Sequence, residues 1–167
     1  MNNLCRANTV RQCRASGPGE TATSWVPETL EVNVIFTDPE ATAAALQTAR
    51  SLSRDLRAVI RLRAGIVVPM QLSLGEPQVS LEFMERLLRG LAEQLEVAGC
   101  EIPVDLYVCR NWIETLVDVL RPDSLIVIGG RRHWWPTAES RVAGALRTKG
   151  HRVALVRVEG QTAESLR

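Results

Sequence analysis

The sequence predicts one α/β domain: a doubly wound, five-stranded parallel sheet with helices on both faces. Three observations predict it. Short apolar runs of strand type alternate with segments of helical periodicity between Glu31 and Val158, five of the first against four of the second. The 167-residue chain, 46% hydrophobic and 23% charged, suits a single continuous core. The apolar run Leu125-Ile126-Val127-Ile128 empties straight into Gly129-Gly130, as a buried strand feeding a tight turn would.

The elements follow in order. Residues 1–28 are polar and small and hold Gly17-Pro18-Gly19, so they read as a flexible arm with too little apolar surface to offset ordering entropy. The domain then runs over 29–160, with a polar tail at 161–167. Val32 to Phe36 form the first strand and stop at Thr37-Asp38-Pro39. There Asp38 can cap a helix and Pro39 fits its first position. Ala45, Thr48, Ala49, Leu52 and Leu56 line one face of that helix. Val59 to Ala64 read as a second strand, although Arg61 and Arg63 sit awkwardly in a buried one.

The spacing of Leu81, Met84, Leu88, Leu91 and Leu95 predicts a second helix, with Gly99 as its stop. Val104, Leu106 and Val108 alternate as a third strand. Asn111 and Glu114 resemble a capping box opening a short helix that Pro122 ends. After the fourth strand at Leu125, Val142, Ala145, Leu146 and Lys149 mark a last helix, and Val153 to Val158 a fifth strand. Right-handed crossovers place helices on both faces, and the ligand crevice lies at the carboxyl ends of the strands. Asp38, Cys109-Arg110 and the segment Gly129 to His133 all empty onto that rim.

Composition excludes several classes. No apolar run reaches the length of a membrane span, and a net charge of +1 gives no global pull toward nucleic acid or lipid. Cys5, Cys13, Cys100 and Cys109 show no paired metal-ligand spacing with His133 or His151, so no metal site is expected and the thiols read as reduced and cytoplasmic. Neither a nucleophile elbow nor paired carboxylates are visible, and no catalytic residue is assigned. Trp134-Trp135 are two adjacent indoles in a loop: they cover the core, lid the crevice or meet a protein partner.

From Val32 to Val158 the chain resembles the universal stress protein family. The resemblance rests on Val34-Ile35-Phe36-Thr37-Asp38, on Asp123 to Gly129, and on the last helix leading into Val153-Ala154-Leu155-Val156. It implies strand order 3-2-1-4-5, a homodimer joined through the last strand at Val153, Leu155, Val156 and Arg157, and a regulatory role in stress response. It also implies ATP or another adenine nucleotide as ligand. The site would draw on Asp38, Val67, Gly129, Gly130, Arg131, Arg132 and Ser140. The family's glycine pattern is degenerate here: Arg132 replaces its second glycine, Glu139 stands before Ser140, and the loop is about three residues short. The expected function is therefore a binding module for a small anionic ligand, a nucleotide or a protein partner, without conventional ATP binding. An ATP-binding or weakly ATP-hydrolysing protein, and an interaction protein using Trp134-Trp135, remain the alternatives.

Overall fold

A computed structural model describes residues 9–12, 30–95, 101–122, 124–131 and 137–158. Six strands and four helices follow one another: β1 (Thr9–Gln12), β2 (Glu31–Ile35), α1 (Pro39–Leu56), β3 (Val59–Val67), α2 (Leu81–Glu93), β4 (Val104–Cys109), α3 (Trp112–Val119), β5 (Leu125–Arg131), α4 (Ala138–Thr148) and β6 (Arg152–Val158). All strand pairs are parallel and the order is β1-β4-β3-β2-β5-β6. The five expected strands thus stand in the order 3-2-1-4-5. The chain reverses direction across the sheet between β2 and β5, which is the topological switch point.

One strand was not expected. Thr9–Gln12, within the segment read as a flexible arm, pair in register with Asp105 to Val108 on the outer edge of β4. A four-residue edge strand is held by backbone hydrogen bonds, which leave no trace in composition.

Local chemistry fixes the helix starts. Asp38 caps α1, its carboxylate accepting from the Ala41 amide at 3.0 Å, with Pro39 in the first turn. Ser80, Asn111 and Thr137 cap α2, α3 and α4. Alternation then divides the packing. Val32, Val34, Leu62, Ala64, Leu106, Val108 and Val127 face α1 and α2 in the larger apolar cluster. Ile35, Ile126 and Ile128 face α3 and α4 in the smaller one, with Leu116, Ala143 and Leu146. Leu56, expected on the buried face of α1, is 47% exposed, because the helix overruns its core contact in its last turn; Ala41, Thr42 and Leu46 are buried instead. Gly99, expected to stop α2, lies outside the described residues.

Arg61 and Arg63 do sit within the sheet. Arg63 Nε donates to Asn33 Oδ1 at 2.7 Å, and its Nη1 donates to the Tyr107 hydroxyl at 2.7 Å and lies 3.3 Å from Asp105 Oδ2. Arg61 Nη1 donates to Asp105 Oδ2 at 3.1 Å, and Arg61 also pairs with Glu31 at 3.5 Å. These residues alternate with the apolar ones along β2, β3 and β4, so they share the face on which α3 and α4 pack. That face carries a buried polar network on β2, β3 and β4 and an apolar core on β5 and β6 that takes in Ile35 of β2.

Candidate site at the β2–β5 switch point

The carboxyl ends of β2 and β5 are tied together directly. The Thr37 hydroxyl donates to the Gly129 carbonyl at 2.9 Å, and the Thr37 amide donates to Thr42 Oγ1 at 3.1 Å. The corner between β2 and α1 is thereby held against β5. Gly129 is glycine for a packing reason. A Cβ there would lie inside van der Waals contact of the Ala41 carbonyl carbon and oxygen, and 3.1 Å from Ala41 Cα. The first turn of α1 therefore occupies the space beside that strand residue.

Arg131 ends β5 and turns back over the same corner. Its Nε lies 3.7 Å from Asp38 Oδ2, and its Nη2 donates to Glu40 Oε2 at 3.2 Å. Asp38 thus holds a helix cap through one oxygen and an arginine through the other. All three side chains are partly exposed, so solvent screens the pairing and leaves it weak enough to open. Gly130 differs from its neighbour. Among the described residues, a Cβ there would meet Glu139 Cβ, at 3.5 Å, and Cγ, at 3.7 Å, ordinary contacts that place the Glu139 side chain over the glycine.

Ser140 lies in the first turn of α4. Its amide donates to Thr137 Oγ1 at 3.3 Å, and its hydroxyl donates to the Thr137 carbonyl at 2.8 Å. Both groups serve the helix start. Val67, at the end of β3, is 54% exposed and offers an apolar surface on the same rim. Asp38, Gly129, Gly130 and Arg131 are brought together. Arg132, Trp134 and Trp135, with His133 between them, lie outside the described residues.

Arg110 follows the carboxyl end of β4, on the rim where the sequence places it, and its guanidinium binds the loop that leaves β3. Nη1 donates to the carbonyls of Val68, at 3.0 Å, and Pro69, and Nη2 donates to the Leu72 carbonyl at 2.8 Å. The arginine thereby fastens the loop that leaves β3. Cys109, the last residue of β4, is 2% exposed, a buried thiol at the strand's carboxyl end. Among the described residues no group of three or more His, Cys, Asp or Glu side chains could hold a metal ion. No described helix is long and apolar enough to cross a membrane.

At the sheet's far side, β6 is an edge strand with Val153, Leu155 and Val156 half-buried and Arg157 exposed. The Arg152 amide bonds inward to Ser124, so by alternation the backbone groups of Val153, Leu155 and Arg157 point outward. Arg147 Nη2 donates to one of these, the Val153 carbonyl, at 2.9 Å.

The Arg131 contact with Asp38 and Glu40 is not legible in the sequence. Opposite charges at the end of one strand and the start of a helix were visible. Their meeting depends on β5 lying beside β2, 91 residues away in the chain.

No family model matches the chain. No curated protein matches it either. Among solved structures, it is similar to a universal stress protein in complex with cAMP, at 14% identity and a TM-score of 0.44, over 80% of this chain and 100% of that one. It is also similar to a macrolide-efflux protein from Streptococcus pneumoniae, at 11% identity and a TM-score of 0.44; the match covers 84% of this chain and 56% of that protein.

Proposed function

We propose that the protein is a cytoplasmic binding module that senses a small ligand or a protein partner at the β2–β5 switch point, without a conventional triphosphate cradle. One observation carries the reading: the groups a phosphate would need at this rim are already engaged. The space beside Gly129 belongs to Ala41, Glu139 lies over Gly130, and the Ser140 amide and hydroxyl turn to Thr137. Among the described residues a triphosphate would approach Glu139 and Glu40 with one guanidinium, that of Arg131, already bound to carboxylates. A smaller anion that draws Arg131 away from Asp38 and Glu40, with an apolar portion against Val67, fits the same surface better.

The module works as a homodimer through β6, whose outward backbone groups and half-buried apolar side chains suit a second copy. Isothermal titration of the purified chain against nucleoside mono-, di- and triphosphates and small carboxylates, with and without Mg²⁺, tests the ligand reading. Binding of a small anion that Arg131→Gln weakens supports it. Tight Mg-ATP binding that the Arg131 change leaves unaltered overturns it. Sedimentation of the wild-type chain and a Leu155→Pro variant tests the dimer: a wild-type monomer sinks that part alone.

A further inference from the structure

β4 is built as an interior strand and stands at the edge of the five-stranded core. All six of its residues, Val104 to Cys109, are buried, and Asp105 is among them at 4% exposure. The opposite edge strand, β6, has no fully buried residue. Sheet edges present unpaired N–H and C=O groups, and a buried edge must satisfy them. Parity says which groups these are. The carbonyls of Pro103 and Cys109 accept from Leu62 and Val68 of the β3 segment, so odd-numbered residues of β4 bond inward. Val104, Leu106 and Val108 therefore direct their backbone groups to the outer edge. The only described residues there are the four of β1.

We infer that the outer edge of β4 is an acceptor site for an extended, parallel peptide strand, and that residues 9–12 are its tethered occupant. The occupant is this chain's own sequence, supplied by the same copy. The register makes the recognition specific at the backbone. Val10 stands opposite Leu106, so Thr9 and Arg11 turn their amides and carbonyls toward β4 while Val10 and Gln12 turn theirs away. Strand addition of this kind draws its affinity from main-chain hydrogen bonds. Four residues can form about four such bonds, few enough for an exchange between bound and released strand. Residue 12 is separated from Glu31 by 18 residues. A tether of that length gives an effective concentration in the millimolar range, which sets the scale a free peptide must reach.

Proline scanning within the full-length chain tests this, because proline removes one N–H and is tolerated where that N–H faces outward. Arg11→Pro takes away an amide that β4 uses; Gln12→Pro takes away one it does not. Hydrogen exchange at the Leu106 and Val108 amides should quicken by about tenfold or more in the first variant and stay at wild-type rates in the second. A labelled peptide bearing Thr-Val-Arg-Gln in its native flanking sequence should bind the Arg11→Pro chain saturably by fluorescence anisotropy. The same peptide carrying Arg11→Pro should bind about tenfold more weakly or not at all. Equal effects of the two prolines, or no preference between the two peptides, would overturn the inference. Should the Arg11→Pro chain fail to fold, the wild-type chain titrated with both peptides at millimolar concentration gives the same comparison. Mixing two differently tagged wild-type chains tests the source: co-purification that free peptide competes away would assign the strand to a second copy and overturn this assignment, and its absence supports the same copy.

Discussion

Replacing Gly129 with alanine separates two accounts of that glycine. If it is there to bring the backbone near a phosphate, an added methyl group should affect ligand binding and leave the stability of the free protein alone. If it is there for packing, the free protein should suffer. The Cβ would stand against the Ala41 carbonyl and 3.1 Å from Ala41 Cα, all backbone atoms of the first turn of α1. No rotamer change relieves such a contact, so either α1 or β5 must move by about 1 Å. Overpacking of a rigid site costs about 1–3 kcal/mol. Displacement of β5 also strains the Thr37 hydroxyl bond to the Gly129 carbonyl, worth about 1 kcal/mol. The expected loss is about 3 kcal/mol, or a fall in Tm of about 6–12 °C for a chain of this size. Gly130→Ala is the internal control. Its Cβ would meet Glu139 at an ordinary 3.5 Å, so its stability should stay within about 0.5 kcal/mol of wild type. Urea unfolding of both variants without ligand, followed by far-UV circular dichroism, gives the comparison. A Gly129→Ala protein as stable as Gly130→Ala would refute the packing account.

Two further substitutions test how the rim is supported. Gly65→Ala on β3 would place a methyl group into the six-membered ring of Trp112, which lies 5.9 Å from Tyr107 centroid to centroid. The indole is a side chain and can yield, so we expect a cost of about 1–3 kcal/mol with a shifted tryptophan emission maximum, and an unchanged spectrum would count against the contact. Arg110→Ala removes the donors to the Val68, Pro69 and Leu72 carbonyls. Limited proteolysis should then cut the loop after β3 several-fold faster, while urea unfolding shows a loss of about 1–3 kcal/mol; wild-type cleavage rates would show that the loop holds itself.

The contrast between what was legible and what was not follows from the range of the interactions. Asp38 before Pro39, and Asn111 three residues ahead of Glu114, are cap signals written within one turn, and both stand where they were expected. The alternation of Val32 with Val34 and of Leu106 with Val108 gave the strands, because a buried face imposes its period on the residues that meet it. Arg110 stands on the expected rim, but its partners, three carbonyls 38 to 42 positions earlier, carry no side-chain signature. β1 escaped notice for the same reason. A strand recognised by main-chain groups is silent in composition. Gly129 after an apolar strand stands out in the sequence, but a turn, a phosphate contact and the close approach of a helix all call for the same residue there.

The arginines of β3 bring the last test, since polar residues inside a parallel sheet demand a reason. Arg63 is 7% exposed and sits among Asn33, Asp105 and Tyr107, while Arg61 bridges Asp105 and Glu31. The two arginines balance the two carboxylates, so the network is neutral as a unit and charged if any one member is lost. Removing one partner of a buried pair costs about 3–5 kcal/mol, while replacing the pair with apolar groups of similar volume is often near neutral. Arg63→Met should therefore destabilise by about 3–5 kcal/mol in urea unfolding. Adding Asp105→Leu should recover part of that loss, because Arg61 keeps Glu31 as a partner and is itself partly exposed. Additive losses in the double variant would mean that the two side chains act independently, and the network would then be a set of separate contacts rather than a cooperative unit.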